Sequence, residues 1–259
     1  MEYRAEQVTK SQEVVPQKRS DVVPASHIDK RAAFDHYWET RHLPSVDLRT
    51  RLRIAIVESM LAGKGGTLLD VGCGRGSVAA HFAELGYNVT GVDISPLAVR
   101  WTERQHPMIK AAVLDLESEP ITGTFDTILC LEVLQQVRTP VDVLGKLRDA
   151  LTPGGCLIVS LPNEFHLARR LNILLGRVNF GGIEDTHIKL YTPREHRRLF
   201  DVCGLTIQSM NVQSIVPPRW AGGSLYRTSA PLARALPGLF ALSCVYFLTP
   251  NDHPGRTTD

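Results

Sequence analysis

The feature that most constrains this chain is a regular alternation. Short apolar runs, TLLDV from residue 67, NVTGVDI from 88, AAVLDL from 111, FDTILCL from 125 and CLIVSLP from 156, are separated by segments with helical spacing. Strands that alternate with helices in this way predict a parallel, doubly wound α/β sheet with helices on both faces. Helix starts are well marked. Ser95 before Pro96 and Thr139 before Pro140 each place an N-cap ahead of a proline whose missing N–H costs nothing. Thr192 with Glu195 forms a capping box, and Gly204 closes that helix. No long helical pattern joins the last two apolar runs, LTIQSMNV from 205 and LFALSCVYFL from 239, so they are expected to pair as an antiparallel edge. Two more helices precede the first strand. In DKRAAFDHYWETRH, Phe34, Tyr37 and Trp38 share one stripe, which reads as the face that packs this helix into the core, with stacking on an aromatic or apolar acceptor as the alternative.

Gly72, Gly74 and Gly76 follow the first strand directly, in DVGCGRG. A glycine turn between strand and helix lets the backbone approach a ligand, because no side chain obstructs it. The GxGxG spacing is one residue short of the pyrophosphate fingerprint, and Asp70 at the strand end would repel a pyrophosphate. Asp93 ends the second strand seventeen residues beyond Gly76, where a carboxylate can accept from both hydroxyls of a ribose. Asp115, beyond the third strand, rims the same crevice. Three acids on one cleft suit a ligand with a ribose and a cationic group, and they count against a dinucleotide oxidoreductase.

Composition narrows the class further. A chain of 259 residues with 43% hydrophobic content supplies a full core. Its net charge of +2 includes no long basic block, so nucleic acid is not an expected partner. Five scattered cysteines without a CxxC pair read as buried free thiols of a reducing compartment. Residues 1–27 are polar and lack an apolar signal core, so they read as a flexible arm, and the cytoplasm is the expected location. No membrane span is expected, since LFALSCVYFL is about half the length that a span requires.

The segments LLDVGCGRGSVA, VTGVDISPLAV, FDTILCLEVLQQV and LTPGGCLIVSLPN, in this order, resemble successive motifs of class I S-adenosylmethionine-dependent methyltransferases. The likeness is greatest to the type 11 branch that includes the ubiquinone-biosynthesis O-methyltransferases. It is close over residues 65–162 and extends through HIKLYTPREHRRLFDVCGL to about residue 250. The resemblance implies a Rossmann-like sheet, mostly parallel with an antiparallel last strand, and S-adenosyl-L-methionine as cofactor. It also implies roles. Asp70 faces the methionine amino group, while Gly72, Cys73 and Gly74 bring backbone to the methionyl part. Asp93 holds the ribose hydroxyls and Ile94 packs on adenine. Asp115 receives the adenine amino group beside the Leu116 backbone, and Leu131 lines the site. Organisation follows the same pattern: an arm at 1–27, helices at 28–62 that close over the cofactor, the methyltransferase domain at 63–250 with an acceptor-site or lid insertion at about 164–190, and a flexible tail at 251–259.

The acceptor side departs from that branch. Its members carry a segment like E-x-x-E-H after the fourth strand, able to serve a divalent cation, whereas this chain reads EVLQQV: Glu132 remains, with Gln135 and Gln136 in place of the acid and the histidine. One carboxylate and two amides are a poor site for a hard cation, so no metal is expected. His187 is the candidate general base, with His166 and Asp185 behind it; packing against Tyr191 is the competing reading of His187. Arg169, Arg170 and Arg177 could recognise an acidic substrate or simply solvate a helix face. Gly181 and Gly182 would let a lid move, and Trp220 could cover the acceptor pocket. The expected activity is methyl transfer to a small-molecule acceptor, at oxygen, by a monomer or homodimer. A non-catalytic binding protein and a macromolecular acceptor are the alternatives.

Overall fold

The computed structural model describes residues 29–40, 46–61, 63–176, 187–214 and 231–251. Helices α1 (Lys30–Thr40) and α2 (Leu48–Met60) lead into β1 (Thr67–Val71), α3 (Ser77–Glu84), β2 (Asn88–Asp93), α4 (Pro96–Gln105), β3 (Lys110–Val113) and β4 (Phe125–Leu131). A 3-10 turn at Leu134–Gln136 precedes α5 (Pro140–Asp149), β5 (Leu151–Pro162), α6 (Leu167–Leu174), α7 (Pro193–Val202), β6 (Leu205–Ser214) and β7 (Ala241–Pro250). The seven strands run in the order β3-β2-β1-β4-β5-β7-β6. The first five are parallel, and β7 is antiparallel to both of its neighbours.

Strand periodicity explains why the apolar runs are continuous. Leu68, Leu129, Leu131 and Ile158 point to one face, against Val57 of α2 and Phe82 of α3. Leu69, Ile128, Cys130 and Val159 point to the other, against Leu144 of α5 and Phe200 of α7. With both faces covered, each strand needs apolar residues at successive positions. All five cysteines are buried and free, as their apolar settings suggest.

As expected, the last two strands pair antiparallel at one edge of the sheet, with β7 between β5 and β6. Three expectations need correction. Thr139 stands at the N-cap position but makes no side-chain cap; its hydroxyl turns to Glu117 Oε1 at 3.5 Å, and the same oxygen accepts the N–H groups of Arg138 and Thr139 at 2.7 and 3.1 Å. Helix α1 buries no residue, so its aromatic stripe is not core. Asn251, assigned to a flexible tail, is tied to the domain through its N–H to Gly204 O at 2.9 Å. Ser95 and the Thr192–Glu195 capping box behave as expected. Gly181, Gly182, Asp185, Arg177, Trp220 and the arm at 1–27 lie outside the described residues.

Because β2 and β4 flank β1, the chain changes direction across the sheet at β1. In open α/β sheets a crevice forms at such a switch point, outside the carboxyl ends of the strands. That is where the first three motifs come together.

Candidate active site

A cleft of about 690 Å³ opens at the carboxyl ends of β1, β2, β4 and β5. Its lining includes Asp70, Gly72, Gly74, Asp93, Leu131 and His187, along with Cys73, Ile94, Asp115 and Leu116. His166 and Arg169 line it too, Arg170 does not, and Asp185, Arg177 and Trp220 lie outside the described residues.

The glycines are there for close approach. Gly72, Gly74 and Gly76 all have left-handed backbone, with φ of 68°, 57° and 76°. A Cβ on Gly72 would stand 2.5 Å from Val133, and one on Gly74 would stand 2.6 Å from the Trp38 ring. Neither position admits another residue without displacement. The loop is then fixed by Gly72 N–H to Val92 O at 2.7 Å and by Gly74 N–H to Asp93 Oδ2 at 2.9 Å. Cys73 shapes this loop. Its N–H donates to Val92 O, its carbonyl accepts from Gly76, and a Cβ on Gly91 would stand 3.1 Å from its thiol.

Asp93 also accepts from Ser95 N–H at 2.9 Å, so both of its oxygens are aimed by backbone donors. A carboxylate has about four acceptor sites, which leaves capacity for two hydroxyls. Burial raises its pKa against the pull of those hydrogen bonds. Asp70 is more extreme. It is buried, its Oδ2 has no hydrogen-bond partner, and desolvation with help from the Asp93 charge pushes its pKa to about 7. A buried carboxylate oxygen left orphaned at the mouth of a glycine loop fits a cationic group. Asp115 spends its carboxylate locally, accepting from Glu117 N–H at 3.0 Å and Ser118 Oγ at 2.9 Å, which shapes the turn beside Leu116.

Helix α1 closes one side of the cleft, and Phe34, Tyr37 and Trp38 line it. Polar contacts hold the helix in place. Asp35 caps α4 through Ser95 Oγ and Leu97 N–H, Lys30 pairs with Glu117, and Arg31 reaches Glu119 at 3.0 Å. The Arg75 guanidinium lies 4.0 Å from the Trp101 ring centroid and 5.9 Å from that of Trp38.

The other half of the cleft is built on two groups that sequence reasoning undervalued. Glu132 has φ of 59°, the one non-glycine residue with positive φ among those described. Such backbone costs about 1–3 kcal/mol and persists only where the surroundings impose it. Here Ser160 Oγ and Ser243 Oγ donate to Glu132 Oε1 at 3.0 and 2.7 Å, and Arg53 Nη2 lies 3.4 Å from the same oxygen. Glu164, at the end of β5, is buried and binds His187 Nδ1 at 2.9 Å through Oε1, with Arg169 on its other oxygen. His187 thus belongs to a carboxylate–imidazole pair, and Arg169 serves that pair. The backbone N–H groups of Ile188 and Lys189 donate to Gln135 O at 2.8 and 3.0 Å, which brings the His187 segment against the EVLQQV turn. Among the described residues, no group of three or more His, Cys, Asp or Glu side chains could hold a metal ion, and no helix is long and apolar enough to cross a membrane.

The profile of a methyltransferase domain family matches residues 37–210, well over half of the chain. This protein is a class I S-adenosylmethionine-dependent methyltransferase. Among curated proteins, the methyltransferase is 29% identical to a ubiquinone biosynthesis O-methyltransferase of Xanthomonas campestris pv. campestris (strain B100). That match spans 168 residues, 61% of this chain and 70% of the relative. Among solved structures it is similar to the magnesium protoporphyrin IX methyltransferase of Synechocystis PCC 6803 with bound S-adenosylhomocysteine, with a TM-score of 0.57 at 17% identity, over 85% of this chain and 95% of that one. The [4+2]-cyclase SpnF is equally similar in fold, with a TM-score of 0.57 at 15% identity over 81% and 86% of the two chains. Fold alone therefore does not name the acceptor chemistry. The cofactor is S-adenosylmethionine.

Proposed function

We propose that this methyltransferase transfers a methyl group to a hydroxyl oxygen of a small molecule, without a metal ion, with His187 as general base. The observation that carries this reading is the buried Glu164–His187 pair on the wall of a cleft whose opposite half has the features that suit the cofactor. The name of the curated relative, an O-methyltransferase of ubiquinone biosynthesis, supports the choice of oxygen. A cleft of about 690 Å³ lies within the range of small-molecule sites, roughly 300–1,000 Å³.

On this reading Asp70 binds the methionyl ammonium, Gly72 and Gly74 admit the methionyl backbone, and Asp93 holds the ribose hydroxyls. Ile94, Leu116 and Leu131 pack around the adenosine, and Asp115 sets the turn that meets the adenine. When bound, S-adenosylmethionine supplies an electrophilic methyl carbon on a sulfonium. What remains for the chain is to align the acceptor oxygen and remove its proton. Glu164 accepts the Nδ1–H of His187, which puts the imidazole lone pair on Nε2 and steadies the imidazolium once that nitrogen has taken the hydroxyl proton. Arg169 holds Glu164 in place through its other oxygen. Gln135 and Gln136, where the branch carries an acid and a histidine, keep the site neutral next to Glu132.

The test uses S-adenosylmethionine labelled on its methyl group, with the small-molecule, protein and RNA fractions of a cell extract and excess chelator. Label is expected in the small-molecule fraction as a base-stable ether, undiminished by chelator. Label in protein or RNA alone, or loss of transfer on chelation, would refute the proposal.

A further inference from the structure

The half of the cleft around Glu132 contains buried polar atoms that no described residue satisfies. Arg53 Nε is a donor without an acceptor, and Gln135 Oε1 is an acceptor without a donor. Both residues line the cleft, and both touch Glu132: Arg53 Nη2 at 3.4 Å from Oε1, and Gln135 Nε2 donating to the Glu132 carbonyl at 2.9 Å. That second contact fixes the amide orientation, so the Oε1 assignment follows from the hydrogen-bond network. Leaving such groups buried and unpaired is unfavourable, and a ligand removes that penalty by supplying the partners.

The neighbouring acids do not need Arg53. Glu132 Oε1 already accepts from two serine hydroxyls, Glu164 is engaged by His187 and Arg169, and Asp47 accepts from Thr50 N–H at 2.7 Å. Arg53 therefore stands on the cleft wall as a charged fork with unused capacity, 17% exposed in its side chain. One guanidinium that already has a carboxylate at 3.4 Å compensates a single added negative charge better than two, which favours a carboxylate over a phosphate dianion.

We infer that the acceptor is a hydroxylated carboxylic acid: its carboxylate binds Arg53, and a donor group on it satisfies Gln135 Oε1. The inference rests on the reading of this cleft as the site of methyl transfer to a hydroxyl.

The test is a calorimetric titration of the full chain, loaded with S-adenosylhomocysteine, with 3- and 4-hydroxybenzoate and the matching neutral hydroxybenzamides. At least one acid is expected to bind about tenfold or more tightly than its amide, a difference of about 1.4 kcal/mol. Arg53→Gln is expected to bring acid and amide within about twofold, Arg53→Lys to retain part of the preference, and both variants to keep wild-type S-adenosylhomocysteine affinity and melting. Equal affinities in the wild type, binding of neither member of any pair, or a preference that survives Arg53→Gln would overturn the inference. The readout does not depend on turnover. An acid that binds through Arg53 and is never methylated counts against hydroxyl transfer alone, and an amide methylated as well as its acid counts against the Arg53 reading alone.

Discussion

Cofactor binding should depend on pH through Asp70. In the free protein burial beside Asp93 holds its carboxyl at a pKa of about 7, with one oxygen orphaned. A methionyl ammonium is recognised by the carboxylate form only, so below pH 7 the site must first lose a proton, and apparent affinity scales with the ionised fraction. That fraction is about 0.09 at pH 6 and about 0.76 at pH 7.5, so affinity for S-adenosylhomocysteine should rise about eightfold across the interval. The same linkage predicts that binding at pH 6 releases about 0.9 proton from this group. Titration calorimetry in two buffers of different ionisation enthalpy reads both quantities. Asp70→Asn should weaken binding, flatten the profile and abolish the release. The sign for stability is opposite. The folded pKa is raised above the unfolded value near 4, so the apo protein gains from a protonated Asp70 at low pH and loses that gain as pH rises through 7. A flat affinity profile with no proton release would refute the role given to Asp70.

Three further perturbations follow from the geometry. Gly74→Ala places a methyl group 2.6 Å from Trp38 at a φ of 57°; it should cost about 1–2 kcal/mol from backbone alone, with detachment of α1 seen as a change in Trp38 fluorescence. His187→Ala should lower kcat about 10²–10⁴-fold with S-adenosylhomocysteine affinity unchanged, and Glu164→Gln should lower kcat less and shift its pH profile. Lys30→Ala removes one of the ion pairs that hold α1 over the cleft; at about 0.2–1 kcal/mol for a partly exposed pair, stopped-flow release of S-adenosylhomocysteine should speed up by about 1.4- to 5-fold.

The cofactor half of the site was legible in the sequence because each of its residues is tied to a strand end. Once TLLDV and NVTGVDI are strands, Asp70 and Asp93 must emerge at the same edge, and the glycines must bridge β1 to α3. In the other half His187, Glu132 and Arg169 stood out in the sequence, but their partners did not, because those pairings are made by tertiary contact. Glu164 and His187 are 23 residues apart and meet only when the chain returns from α6 to the end of β5. Arg53 is one of three arginines in LRTRLRIAIVESM of α2, and nothing in the spacing marks it. Docking of that helix, where Gln213 Nε2 donates to Arg49 O at 2.9 Å, turns it into the cleft. The aromatic stripe of α1 misled for a related reason: helical spacing identifies a face that must be covered, and here it faces the cleft rather than the core.

The central claim is that one cleft binds S-adenosylmethionine on Asp70 and Asp93 and presents a second ligand to His187. A crystal structure with S-adenosylhomocysteine tests it most directly. The account predicts density along Gly72 and Gly74, with the ammonium on Asp70 Oδ2, the ribose hydroxyls on Asp93 and open space towards His187. A ligand bound elsewhere, or one whose ribose and ammonium avoid both aspartates, would contradict it.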